Sequence, residues 1–240
     1  MPVVSKSGEL LPKMLVILYE REELSDRVEQ QMFNAENLYV TWSRSGKMTY
    51  ENYRQFLCET VSEMDGARNL LLLDSYGCHK DKRNTLKGVL DEQGLDEEKL
   101  RVKIIPPGTT SRCQPLDLHF FRMYKHMFRF LSHKALHFFS ASQSKESLQK
   151  RDNILKMHSL VYNQFRSPRF TKAHQYGWKM AGLGSDTGPF QNTTEFCLKS
   201  RKGVCLECEK LSVIKCGWCT ELYCFEHFFL SYHYCQVYVS

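Results

Sequence analysis

The sequence predicts an α/β fold that ends in a small metal-stabilised module, and three observations carry that prediction. The first is a run of four leucines, Leu70 to Leu73, ending in Asp74. Four apolar residues in a row leave no solvent face, so this reads as a buried strand covered on both sides. The second is a helix-length polar stretch leading to another apolar run, Val102 to Ile105, closed by Pro106-Pro107-Gly108. The order is strand, crossover, strand, then a tight loop. The third is that seven of the ten cysteines fall in residues 197–240, in Cys-x-x-Cys pairs. The N-terminus has no apolar core for a signal peptide, so that spacing argues for metal ligation over disulfides.

Bulk composition sets the limits. A chain of 240 residues, 42% hydrophobic and 25% charged, holds one ordinary domain plus a small one, with enough apolar surface for a core. No apolar run is long enough to span a membrane. The net charge of +6 is unevenly spread: residues 1–100 sum to −5, residues 101–180 to +12 and residues 181–240 to −1. A concentrated basic segment is the electrostatic footprint of a nucleic-acid partner, and also the composition of a solvated lysine-rich helix surface.

In chain order, residues 1–20 read as two short strands around a turn at Gly8, the second being Met14 to Tyr19. Residues 20–36 are highly charged, a loop or surface helix. Leu38 to Trp42 is a short strand and Ser43 to Lys47 a turn. From Thr49 to Met64, the residues Tyr53, Phe56, Leu57, Val61 and Met64 fall on one helical face. Thr49 with Asn52 starts this helix and Asp65-Gly66 ends it. Ser75 to Cys78 is a loop, Thr85 to Leu95 is helical, and acidic Asp91 to Glu98 reads as an inserted loop.

The long helix after Pro115 carries Arg122, Lys125 and Arg129 at spacings of three and four, hence on one face. Phe120, Met123, Met127 and Phe130 form the opposite face. Ser147 to Phe165 reads as an amphipathic helix with Leu148, Ile154, Leu155 and Leu160 inward. Ser167-Pro168 breaks it, and a last helix runs from Thr171 to Met180. Residues 182–194 are turn-rich and nearly uncharged, a linker. No internal repeat is present.

The candidate functional residues fall into two sets. Asp74 closes a strand, where open α/β sheets place their sites, and Asp117 sits near a helix start. Taken singly, the first is as well read as a turn residue and the second as a helix cap. In the tail, Cys205 and Cys208, Cys216 and Cys219, Cys224 and His227, and His233 and Cys235 supply eight ligands, enough for two tetrahedral zinc sites. The tail has few aliphatic residues, so metal is expected to supply much of its folding energy. Spacing alone leaves the pairing open. Cys197 is spare, and Cys58, Cys78 and Cys113 read as core or incidental thiols.

The leucine run ending in Asp74, the segment Pro106-Pro107-Gly108-Thr109-Thr110 and the segment Gln114-Pro115-Leu116-Asp117 together resemble the catalytic core of pogo-like transposases of the mariner superfamily. The resemblance is specific over residues 70–131. It implies an RNase H-like mixed sheet with flanking helices, and two-metal, Mg-dependent cutting and joining of DNA strands. Asp74 matches the second catalytic acid and Asp117 the third. Arg122, Lys125 and Arg129 become the nucleic-acid-binding face beside the acids. His79 matches a histidine the family carries after the second acid, and reads equally as a surface loop histidine. Ser75 stands where many members have Asn.

Ser7 to Pro12 looks like the family's second strand region, so the strand bearing the first Asp is expected to be missing. On that reading the core is truncated and the chain does not cut DNA, with Glu20 the best substitute ligand. The cysteine tail resembles interlaced fingers of the MYND or HIT kind, in which the first and third ligand pairs share one ion and the second and fourth the other. One branch of pogo-like transposases also ends in a Cys-rich segment.

The expected layout is a truncated core at 1–131, a basic helical extension at 132–181, a linker at 182–196 and a zinc module at 197–240. The expected partner is DNA, with no membrane, in the nucleus, or in the cytoplasm if the chain is a remnant. The competing reading is a zinc-dependent protein-interaction or regulatory module derived from a transposase, binding a protein partner through its tail.

Overall fold

The computed structural model describes residues 1–62, 68–80, 84–94, 98–142 and 146–240. Strand β1 (Met14–Tyr19) is followed by the short surface helix α1 (Asp26–Gln31) and by β2 (Leu38–Ser43), which lies parallel to β1 with Met14 opposite Leu38. Helix α2 (Tyr50–Ser62) leads to β3 (Asn69–Leu73), helix α3 (Thr85–Glu92) and β4 (Leu100–Ile104). β4 is parallel to β3, with Leu71 opposite Val102. A single turn, α4 (Thr110–Cys113), precedes three long helices, α5 (Phe121–Ala141), α6 (Arg151–Phe165) and α7 (Thr171–Met180). The tail contributes the antiparallel pair β5 (Ile214–Lys215) and β6 (Leu222–Tyr223). The α/β class holds. Among the described residues the strands form separate two-stranded pairs and not one mixed sheet.

Alternation along β1 and β2 divides the interior in two. Leu15 faces a core made with Tyr53, Phe56 and Leu57 of α2, Leu71 and Leu73 of β3, and Leu100 of β4. Met14 and Leu38 face a larger core built from α5, α6, α7 and the tail. Successive strand residues point to opposite sides, so this pair is a wall with a core on each face.

Several local expectations hold and several change. Thr49 and Asn52 cap α2 reciprocally. The Asn52 N–H donates to Thr49 Oγ1 at 3.1 Å, and the Thr49 N–H donates to Asn52 Oδ1 at 3.2 Å. The expected helix end at Asp65-Gly66, with Met64, lies outside the described residues. In place of a first strand there is an isolated bridge between Val4 and Leu10. Gly8 turns between them at φ +88°, where a Cβ would lie 2.3 Å from the Thr171 carbonyl oxygen of α7. Asp91 and Glu92 belong to α3, which ends ahead of Gly94 at φ +65°.

β3 is not covered on both sides. Leu71 and Leu73 are buried, but Leu70 is 60% exposed. Among the described residues β3 pairs only with β4, and that pair meets a core on one face, so the four leucines alternate like any half-buried strand. β4 alternates likewise, with Arg101 and Lys103 outward.

α6 begins at Arg151, after a turn closed by the Lys150 N–H on the Ser147 carbonyl. It is not amphipathic in its second half: every residue from Ser159 to Phe165 is buried. α5 packs on one side and the tail closes over the other. Each polar side chain there makes at least one hydrogen bond, although Asn163 Oδ1 and Gln164 Nε2 have no partner among the described residues. Ser159 Oγ donates to Asn37 Oδ1 at 2.6 Å, and Asn163 Nδ2 donates to the Cys235 carbonyl at 2.8 Å. Gln164 Oε1 accepts the Gly217 N–H at 2.7 Å, and Trp218 Nε1 donates to the Asn163 carbonyl at 2.7 Å. One turn on, Ser167 Oγ donates to the Gly217 carbonyl at 2.6 Å. Residues leading into the tail are packed as well. Phe190 lies on Tyr176, and Thr193 and Cys197 are fully buried.

Candidate functional site

Asp74 follows the last residue of β3. Its Oδ1 accepts the Tyr76 N–H at 3.1 Å and lies 2.6 Å from His79 Nδ1. His79 sits on a 3₁₀ turn, Gly77–Lys80, and is only 4% exposed. It is therefore not a surface loop histidine. Its ring is braced by Tyr53 and Tyr76, with centroids at 5.3 and 5.8 Å.

The neighbouring strand β4 delivers the second acid. A turn at Pro106–Gly108 is closed by Thr109 Oγ1 donating to the Pro106 carbonyl at 2.7 Å. α4 follows, then a wide turn, Leu116–Phe120, that runs straight into α5. Gly177 of α7 presses on this turn so closely that a Cβ there would lie 3.0 Å from the Pro115 carbonyl oxygen. Asp117 lies in the first turn, not at the N-cap position, which Pro115 takes, and is exposed. Partial desolvation, and then the negative charge of Asp74, raise its carboxyl above the ordinary range. The structure thus brings Asp74 and Asp117 within electrostatic reach of each other.

Glu20 does not join them. It follows the last residue of β1, where its Oε1 is held by Arg151 of α6 through Nη2 at 2.6 Å and Nε at 3.1 Å. Among the described residues, the only compact groups of three or more metal-ligating side chains are in the tail.

Arg122, Lys125 and Arg129 are all exposed on α5, with Met123, Met127 and Leu131 buried behind them. Phe120 is buried as expected. Phe130 is half-buried at the flank, covered by Lys134 Nζ at 5.5 Å and by the Arg201 guanidinium at 4.8 Å.

The tail folds into two four-ligand groups. Cys205, Cys208, Cys224 and His227 form one; Cys216, Cys219, His233 and Cys235 form the other. The first ligand pair joins the third and the second joins the fourth, the interlaced arrangement that the resemblance implied. Within the first group, Cys205 Sγ is 3.3 Å from His227 Nδ1 and Cys208 Sγ is 3.8 Å from Cys224 Sγ. In the second, Cys219 Sγ is 3.6 Å from His233 Nε2. Zn–S bonds of ~2.3 Å and Zn–N bonds of ~2.0 Å around a tetrahedral ion give edges of roughly 3.5–3.8 Å, so both groups fit zinc.

The thiols divide: Cys205 and Cys219 are pushed toward the thiolate, whereas a hydrogen bond with Cys219, then burial, raises Cys216, and burial raises Cys224 and Cys235. Burial opposes ionisation of Cys205, but hydrogen bonds from backbone N–H groups and His227 outweigh that and bring it to about 6. A hydrogen bond from Cys216, joined by His233, brings Cys219 to about 3. Cys197 belongs to neither group; burial pushes its thiol well up. Cys58, Cys78 and Cys113 are partly exposed free thiols outside both groups.

Sequence reasoning missed the engagement of His79 with Asp74 and the row of buried polar residues on α6. The first had a signal, a histidine five residues past a strand-end acid. The second had none, since its partners lie far away in sequence.

A family model described as DDE superfamily endonuclease matches residues 3–172, and one described as Tc5 transposase C-terminal domain matches residues 178–235. No curated protein and no solved structure matches the chain.

Proposed function

The chain belongs to the DDE superfamily of endonucleases and carries a Tc5 transposase C-terminal domain; from that premise we propose a transposase-derived protein, with an RNase H-like core around Asp74 and Asp117, that holds DNA without cutting it. The observation that carries this reading is that one element, the turn and helix from Leu116 to Ala141, bears an acid at its start and an exposed basic face along its length. Phosphate contacts from Arg122, Lys125 and Arg129 would lay a strand beside the acid pair.

Asp74 and Asp117 are the residues that would hold a divalent ion such as Mg. The charge that each presents to the other is what such an ion relieves. When bound, the ion supplies an activated water and neutralises charge on a phosphodiester. Two carboxylates are a sparse ligand set for a two-ion site. Among the described residues no third ligand groups with them, and Glu20 is committed to Arg151. That is why DNA is expected to be bound and left intact. The zinc groups have four protein ligands each and no open position, so their role is structural. A DNA-binding role places the protein in the nucleus. No helix among the described residues is long and apolar enough to cross a membrane.

One observation favours a second reading, docking of a protein partner on the tail. Val204, Leu206 and Leu211, beside the first zinc group, are 55%, 59% and 81% exposed.

The test is DNA affinity measured against salt. Each phosphate contact adds about 0.9 to the slope of log K against log salt, so charge reversal of Arg122, Lys125 and Arg129 together should flatten it by about three. An unchanged slope would assign the basic face to solubility. In the same preparations, supercoiled DNA should stay un-nicked in Mg or Mn. Nicking that disappears in Asp74→Ala would mean a third ligand is supplied after all.

A further inference from the structure

The bond between His79 and Asp74 fixes more than the position of the acid. His79 is almost fully buried, and its Nε2 has no hydrogen-bond partner among the described residues. A proton on Nε2 would be left unbonded in the interior, which is costly. The ring proton therefore belongs on Nδ1, 2.6 Å from Asp74 Oδ1, and the ring is the donor. The Tyr76 N–H donates to the same oxygen. Oδ1 is thus doubly bonded from the protein side, and Oδ2 receives neither bond. Tyr53 and Tyr76 pack the imidazole from two directions, so it is held in place and does not follow the carboxylate.

We propose that His79 is a positioning residue: it and the Tyr76 N–H occupy Oδ1 of Asp74, so that Asp74 offers a divalent cation Oδ2 alone. This rests on the reading of Asp74 and Asp117 as a cation-holding pair. Without His79, the carboxylate rotates about its last bond and the pair loses a fixed geometry. Partners that orient a ligating group typically tune metal affinity 10–100-fold.

The experiment uses the whole zinc-loaded chain and Mn²⁺ as the probe. Mn²⁺ prefers oxygen donors to the tail's thiolates, and its binding is read by the loss of free-ion electron paramagnetic resonance signal. His79→Ala should weaken Mn²⁺ binding at least tenfold. His79→Asn places an amide N–H near the position of Nδ1 and should recover affinity to within about threefold of wild type. A ¹⁵N spectrum of the wild-type chain, with the His79 signal identified by its absence in His79→Asn, should show Nδ1 protonated and Nε2 bare. That measurement stands even if His79→Ala does not fold.

Asp74→Asn separates the two levels of the argument. If it abolishes Mn²⁺ binding while both His79 variants bind like wild type, the positioning role is overturned and the acid pair stands. Asn as weak as Ala, or a proton found on Nε2, overturns it equally. If Asp74→Asn binds Mn²⁺ like wild type, the acid-pair reading falls and the role of His79 with it.

Discussion

His158 packs tilted on Phe128 with ring centroids 4.5 Å apart and shares a hydrogen bond between its Nδ1 and the Tyr124 hydroxyl at 2.7 Å, while His174 Nε2 donates to the Phe165 carbonyl at 2.8 Å. Burial holds both imidazoles at about 4, with nearby positive charge adding to the effect at His158 and the Phe165 carbonyl opposing it at His174. In the unfolded chain each titrates near 6.5, so the unfolded state takes up protons first as pH falls. Their contribution to stability is complete above about pH 6.5 and is lost as pH drops toward 4. Between pH 7 and 5 each should cost about 2 kcal/mol. Urea unfolding at the two pH values checks this, and His158→Asn, whose amide falls near the position of Nδ1 and keeps a partner for Tyr124, should remove about half of the dependence. The sequence has nine histidines and marks none of these as buried. A histidine inside a helix carries no periodic signal that separates a packed imidazole from a wet one, whereas the cysteine pairs announced themselves by spacing.

Two neighbouring helices show why legibility differs between elements. α5 was readable because its charged and apolar residues recur at helical spacing, and Arg122, Lys125 and Arg129 do lie on its exposed face. α6 was not. Ser159, Asn163 and Gln164 look like a solvent face, but their partners are Asn37, Cys235 and Gly217, more than 50 residues away in each direction. Composition within a window cannot report such partners. The consequence is testable at Asn163, whose amide holds the carbonyl of a ligand residue in the second zinc group. Asn163→Leu leaves that carbonyl unpaired and should cost about 1–3 kcal/mol. Challenge with a chromogenic chelator should release zinc from the Cys216, Cys219, His233 and Cys235 group faster, with the Cys205, Cys208, Cys224 and His227 group keeping its wild-type rate.

At the scale of the molecule, the parallel pairing of β3 with β4 followed from strand, crossover, strand, but the split of the strands into separate pairs did not. Ladder partners are set by tertiary packing, and the leucine run overstated its own burial for the same reason. The two cores make an unequal response to metal removal the expected outcome. Cys197, Cys205, Cys216 and Cys224 share their core with Leu155, Leu160 and Phe165 of α6, whereas among the described residues the α2, β3 and β4 core contains no tail residue. Strong chelation should therefore deprotect amides of α5, α6 and α7 along with the tail in hydrogen exchange, while α2 and β4 keep their protection longer. The wall between these cores also touches α6 through Asn37 and through the Glu20–Arg151 ion pair. The same stitching limits how such a protein can be recombined. The turn-rich stretch at 182–194 invites a splice, yet a tail exchanged there would arrive without Asn163, Gln164 and Ser167, which hold its Cys235 and Gly217. A chimera that works must place its junction ahead of Arg151, inheriting helix and tail from one parent, and a tail borrowed alone should express as a misdocked, metal-leaking appendage.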